Sequence, residues 1–116
     1  MTSLADLQQD LTPEQASELA ARGEVRLVDV REAREWDAGH IAGARHVEMD
    51  RLTEEAGSLT GNPPVVFYCR TGARSAVAAQ AFTVSGLTAY NMAGGLVLWV
   101  ERGLPIEPDD GTVAPH

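Results

Sequence analysis

Cys69 is the only cysteine in the chain, and two arginines stand close to it, Arg70 directly after it and Arg74 a few positions on. Before it runs Val65-Val66-Phe67-Tyr68, an apolar stretch with no polar alternation. After Arg74 comes an alanine-rich stretch with helical character. The segment between, Arg70-Thr71-Gly72-Ala73, must curl sharply from strand to helix, and Gly72 supplies the freedom at its centre. In such a curl successive N–H groups turn inward and make a nest for an anion. The helix that follows adds its positive end and its unpaired N–H donors. The two guanidinium groups add full charges. Each of these favours a negative group at the Cys69 sulfur, so the thiolate, the nucleophilic form, is expected to be stabilised. The same cradle suits the oxygens of a bound oxyanion. A lone cysteine ending an apolar strand is ordinarily a small core residue, and loop arginines are ordinarily solvated. Their combination in one strand-to-helix turn is what points to nucleophilic chemistry.

The composition narrows the classes of function. At 116 residues the chain suits one domain with one core. The formal net charge of -8 repels nucleic acid and anionic membrane surfaces, so neither is expected as a partner. Anionic small molecules are also repelled at long range, which makes a locally built anion site necessary. All the basic residues are arginine, which removes Schiff-base catalysis and a phosphate-loop lysine. A single cysteine removes internal disulfides and cysteine-rich zinc sites. The start, MTSLADLQQD, has neither a basic opening nor an apolar core, so no signal peptide is expected. No apolar run approaches the roughly 20 residues of a membrane span. A reducing cytoplasm is the expected location.

The elements that must position the turn can be read in order. Thr12-Pro13-Glu14-Gln15 carries a helix start, with Thr12 as cap, Pro13 in the first turn and Gln15 as capping-box partner. Ala16, Leu19 and Ala20 form its apolar stripe, and Gly23 ends it. Val25 to Val30 reads as a strand, 32–38 as a short helix closed by Gly39, Ala44 to Val47 as a short strand and Arg51 to Ala56 as a short helix. Thr60 to Pro64 is a loop. Val65 to Cys69 reads as a strand buried on both faces. A helix from Arg74 to Ser85, a strand from Thr88 to Met92 and a helix opened by Gly94-Gly95 and running to Arg102 complete the pattern. Residues 105–116 read as a surface tail. Strands alternating with helices predict an α/β domain with a mostly parallel sheet. Ligands bind such sheets at the carboxyl ends of the strands, where Cys69 stands.

The turn Cys69-Arg70-Thr71-Gly72-Ala73-Arg74-Ser75 resembles the active-site loop of rhodanese-like sulfurtransferases. Asp29-Val30-Arg31, Glu35-Trp36 and Gly39-His40-Ile41-Ala42-Gly43-Ala44 resemble the family's first signature, and Gly94-Gly95 with Trp99 resembles its C-terminal one. The likeness runs from about Leu11 to Leu104. Ala42 and Glu48 stand where the family often has proline, and His46 where it often has asparagine. The resemblance implies a single rhodanese-like domain over 1–116, with a core at about 11–104 and a five-stranded sheet flanked by helices on both faces. It implies Cys69 as the catalytic nucleophile. Arg70, Thr71, Gly72, Ala73, Arg74 and Ser75 would be the substrate-binding residues. It also implies a sulfane sulfur taken from a small-molecule donor, thiosulfate or a persulfide, and passed through a Cys69 persulfide to cyanide, a thiol or a protein thiol. No metal and no cofactor is called for. With no second cysteine in the chain, the persulfide has to be handed to another molecule.

Three alternatives stay open beside this: a persulfide carrier serving one protein, a thiolate phosphatase or arsenate reductase, and a non-catalytic binding module. Thiolate phosphatases space the cysteine and arginine one residue further apart, and they need a general acid, for which the loop holds no Asp or Glu. His40 and His46 read as structural hydrogen-bonding residues and His116 as a tail residue without a role. Asp29 and Arg31 lie on one face of their strand and read as a structural pair, with Glu35 as a third member. Trp36 and Trp99 read as core aromatics.

Overall fold

The apolar run before Cys69 is the central strand, and the sheet is arranged around it. The structure, a computed structural model, describes residues 9–116. The opening residues read above for a leader lie, through residue 8, outside the described residues. Among those described, the strands are β1 (Asp10–Leu11), β2 (Arg26–Asp29), β3 (Arg45–His46), β4 (Val65–Tyr68) and β5 (Ala89–Met92). They form one sheet in the order β1-β5-β4-β2-β3, and every neighbouring pair is parallel. The helices are α1 (Pro13–Ala21), α2 (Ala33–Ala38), α3 (Leu52–Leu59), α4 (Ala73–Val84) and α5 (Gly95–Glu101), with a 3-10 turn at Met49–Arg51 leading into α3. None of these helices is long and apolar enough to cross a membrane.

β4 is paired on both edges and buried at every residue, which is why its sequence lacks alternation. Its side chains still alternate between two cores. Val66 and Tyr68 pack with Leu19 of α1 and Leu96 and Trp99 of α5. Val65, Phe67 and Cys69 pack with Leu52 and Leu59 of α3 and Ala78, Ala79 and Phe82 of α4. Phe67 meets Phe82 edge to face, ring centroids 4.9 Å apart. The alternation therefore directs the Cys69 side chain to the α3–α4 face, under the start of α4.

The start of α1 is as the sequence implies. Thr12 Oγ1 accepts the Gln15 N–H at 3.1 Å, Gln15 Oε1 accepts the Thr12 N–H at 2.9 Å, and Gly23 follows the helix at φ +72°. Several boundaries move, and one strand is added. The helix after the loop begins at Ala73. The helix expected over Arg51 to Ala56 continues to Leu59, whose burial in the core rewards the extra turn. β1 was invisible to pattern reading, since two residues show no alternation; pairing of Leu11 with Met92 of β5 defines it.

The Asp29–Arg31 pair is fully buried. Arg31 donates from Nε to Asp29 Oδ1 at 2.9 Å, from Nη2 to Asp29 Oδ2 at 2.7 Å and from Nη2 to the Gly39 carbonyl at 2.7 Å. It thereby ties the end of β2 to the end of α2. Glu35 is not part of this pair; it binds Arg74 instead. Trp99 lies in the core, its indole N–H donating to the Pro105 carbonyl at 2.9 Å. Trp36 does not: it is half-buried and stacks between His40 (3.6 Å) and His46 (4.9 Å). His40 Nδ1 bonds the Trp36 carbonyl and His46 Nε2 the Arg31 carbonyl, so both rings serve as struts. The segment after α5 returns to α2, through Glu107 paired with His40 and the Thr112 N–H on the Ala38 carbonyl.

Removing one partner of a buried ion pair strands the other charge, which costs about 3–5 kcal/mol. Arg31→Met is expected to lose that much in urea unfolding, and a loss below about 1 kcal/mol would contradict the pair's role.

Candidate active site

The loop after β4 is shaped by the helix beside it. The carbonyl of Cys69 accepts the Leu96 N–H at 2.9 Å, and that of Arg70 accepts the Val97 N–H at 3.0 Å. These donors belong to the first turn of α5, where no helical acceptor exists for them. The grip holds two loop carbonyls toward α5, and the peptide that carries the Arg70 carbonyl turns its other end, the Thr71 N–H, toward the sulfur. Gly95 permits the approach. A Cβ there would stand 2.5 Å from both carbonyl oxygens, and its φ is +59°. Gly72, at φ +101°, has the α4 cap position and lies against the Gly94 N–H.

Cys69 is buried, with 1% of its surface exposed. Its Sγ accepts the Gly72 N–H at 3.1 Å and the Ser75 N–H at 3.5 Å, and Ser75 Oγ stands 3.4 Å away. Burial alone pushes the thiol up. The Ser75 side chain and the N–H groups of Ser75, Gly72 and Thr71 outweigh it and hold the thiol below its ordinary value.

The two arginines differ. Arg74 makes a two-pronged bond to Glu35, Nη1 to Oε1 at 2.9 Å and Nη2 to Oε2 at 3.0 Å. Burial pushes the Glu35 carboxyl up, but the Arg74 bonds and the Glu32 N–H at 3.2 Å prevail and keep it below the usual range. Arg74 thus pins α4 to α2 through both its terminal nitrogens. Arg70 is half-exposed, and its Nε is buried without a partner among the described residues. Thr71 and Ala73 are exposed, whereas Gly72 and Ser75 are buried.

Sequence reading missed Asn91 and Asp10. Ser75 Oγ lies 2.6 Å from Asn91 Oδ1, and Asn91 Nδ2 donates to Asp10 Oδ1 at 3.0 Å. A polar residue inside the buried strand AYNM was the available signal. A cavity of about 260 Å³ opens beside the loop, lined by Val30, Met49, Arg74, the carboxylates of Glu32, Glu48 and Asp50, and His116. Val30 adjoins Cys69 in the packed core. A wider opening of about 430 Å³ lies at the amino ends of β4 and β5, far from the sulfur.

Fold and site together define a parallel α/β domain whose one cysteine sits in an anion-stabilising turn. The Rhodanese-like domain model matches residues 12–102, and the chain belongs to that family. It is 32% identical over 97 residues to the thiosulfate sulfurtransferase GlpE of Pseudomonas paraeruginosa, covering 83% of this chain and 87% of that protein. It is 39% identical over 75 residues to the uncharacterised protein YqhL of Bacillus subtilis, covering 64% of this chain and 60% of that one. The matched segment thus spans less than two thirds of YqhL. The rhodanese-related protein of Thermoplasma volcanium has the same fold, with a TM-score of 0.78, 26% identity and coverage of 85% of this chain and 97% of that one. These relationships place the chain in a sulfurtransferase-type family.

Gly95→Ala combines a left-handed backbone with a clash against two carbonyls, and is expected to cost about 2–4 kcal/mol in urea unfolding. It should also slow alkylation of Cys69 by iodoacetamide at neutral pH, because the loop loses its grip. An unchanged alkylation rate would show that α5 does not shape the nest. In the unaltered protein the alkylation profile should have its midpoint below the ordinary thiol value of about 8.5. A midpoint at or above that value would show burial prevailing over the N–H donors.

Proposed function

We propose that this chain is a sulfurtransferase that moves a sulfane sulfur from thiosulfate or a persulfide donor to a thiophilic acceptor through a persulfide on Cys69. The observation that carries the reading is the Cys69 sulfur held by the Gly72 and Ser75 N–H groups at the amino end of α4. That arrangement favours a thiolate at rest and offers the same donors to a terminal sulfur bound on Cys69.

With thiosulfate, the Cys69 thiolate attacks the outer sulfur. A sulfur–sulfur bond forms to Cys69, the bond to the sulfonate breaks, and sulfite leaves with the electron pair. Sulfite is a good leaving group, so no strong general acid is required. An acceptor such as cyanide then attacks the terminal sulfur, thiocyanate departs, and the electron pair returns to Cys69 as thiolate. The two half-reactions predict ping-pong kinetics. Arg70, through its unpartnered Nε, is the donor-binding charge, and Arg74 acts through Glu35 to hold the loop in place.

The phosphatase alternative loses support at Arg74. A phosphoryl group is best held by a two-pronged guanidinium, and Glu35 takes one fork of this one, through Nη1 and Nη2, leaving only its Nε side. The loop is also one residue shorter than such enzymes use.

Purified protein is expected to form thiocyanate from thiosulfate and cyanide, and Cys69→Ser to abolish it. Mass spectrometry after thiosulfate alone should show a gain of one sulfur atom on Cys69. Turnover that survives Cys69→Ser, or hydrolysis of an aryl phosphate at a rate matching sulfur transfer, would refute the assignment. Arg70→Ala should raise KM for thiosulfate with little change in melting temperature; unchanged kinetics would remove it from the pocket.

A further inference from the structure

Asn91 of β5 is buried, with 4% of its surface exposed, and it has no part in the sulfur chemistry above. Its amide is oriented from both sides. Nδ2 donates to Asp10 Oδ1 at 3.0 Å, and Oδ1 lies 2.6 Å from Ser75 Oγ. Turned over, the amide would set its oxygen against the Asp10 carboxylate, acceptor facing acceptor. With Oδ1 toward Ser75, the short contact requires a proton, and only the Ser75 hydroxyl has one to give. A hydroxyl carries a single proton and two lone pairs. Ser75 therefore donates to Asn91 and turns a lone pair toward Cys69 Sγ, 3.4 Å away.

That arrangement suits a neutral sulfur. A thiol S–H donates to the Ser75 lone pair, and the inner sulfur of a persulfide needs no donor. It does not suit a thiolate, which needs the proton that Asn91 holds. We propose that Asn91, anchored by Asp10, is a positioning residue that keeps the Ser75 hydroxyl proton off Cys69 Sγ while the sulfur is neutral and yields it when the sulfur becomes anionic. The hydroxyl has two resting directions, Oδ1 and Sγ, and changes between them by rotation about one bond. Sγ is anionic twice in each cycle, before attack on the donor and when the acceptor removes the sulfur. Between those moments the proton is stored on Asn91, which tempers the preference for thiolate that the Gly72 and Ser75 N–H groups create. The charged groups around the sulfur are Arg70 in the loop, Arg74 of α4 with Glu35 of α2, and Asp10 of β1 behind Asn91.

The inference rests on reading Cys69 as the nucleophile, but its test reads the thiol without any sulfur donor. The rate of Cys69 alkylation by iodoacetamide is measured against pH in the unaltered protein, Asn91→Ala, Ser75→Ala and the double variant. Asn91→Ala releases the hydroxyl to the thiolate and should move the midpoint toward acid by about one pH unit, the size of one hydrogen bond to a charged group. Ser75→Ala should move it toward alkali. The double variant should match Ser75→Ala alone, because Asn91 acts only through that hydroxyl. An alkaline or null shift in Asn91→Ala overturns the proposal, as does an acid shift that persists unchanged without Ser75. Should Asn91→Ala fail to fold, Asp10→Ala at the exposed sheet edge decides the matter. It frees the amide to turn, and its acid shift should shrink in the Ser75→Ala background. An equal shift in both backgrounds would reflect lost charge alone and overturn the proposal. Absence of thiocyanate formation would fail the sulfurtransferase reading and leave these midpoints interpretable.

Discussion

Two hydrogen bonds from the first turn of α5 to the carbonyls of Cys69 and Arg70 orient the chain on which the site depends. A buried sulfur in a core of valine, phenylalanine and alanine is expected to stay protonated. Here the thiol is held below its ordinary value because N–H groups of the loop and of the start of α4 face it, with the Ser75 side chain. The Thr71 N–H is one of them, and the carbonyl of its own peptide, that of Arg70, is held outward by α5. Helix ends usually spend their free donors on water or a capping side chain; here α5 spends two of them on shaping a loop. Glycine at position 95 is the condition for this contact, since any side chain there would occupy the space of the two carbonyl oxygens.

Charge is handled locally throughout the molecule. The chain is strongly acidic overall, yet each fully buried carboxylate near the site has a specific partner. Asp29 is matched by Arg31 and Glu35 by Arg74. Both pairs sit at the carboxyl end of the sheet, one bracing the end of β2 and the other the start of α4. α2 and α4 are thus locked to one another by side chains of opposite sign, Glu35 and Arg74, and the start of α4 at the nest keeps its place. Arg70, unlike Arg31 and Arg74, forms no ion pair, and its buried Nε is without a partner among the described residues; Arg31 also leaves its Nη1 without one. The neighbouring cavity is lined by Glu32, Glu48 and Asp50 beside Arg74, so acidic side chains outnumber basic ones there.

Much of this was legible in order along the chain. The unalternating run Val65 to Tyr68 announced a strand covered on both faces, and the Thr12–Gln15 pair announced a helix start through local chemistry alone. The loop declared itself because cysteine, glycine and arginine fell together between a strand and a helix. Trp36 was misread as core because its apolar bulk says nothing about where the sheet ends; the stack with His40 and His46 forms only after β3 aligns beside β2. Arg74 was read as a substrate-binding residue, and its pairing with Glu35, which joins two helices far apart in sequence, was not legible. Asn91 and Asp10 gave no local pattern linking them to Ser75.

The sequence by itself determined the fold class, the position of the cysteine at a strand's carboxyl end and the anion-favouring character of the turn. Each of these follows from neighbours a few residues apart, where backbone geometry and propensity act. Only the tertiary structure decided which arginine stays free, which helix grips the loop, and where the Ser75 proton rests. Those depend on groups brought together by the parallel crossovers of the sheet, and a parallel sheet places side by side residues that are remote along the chain.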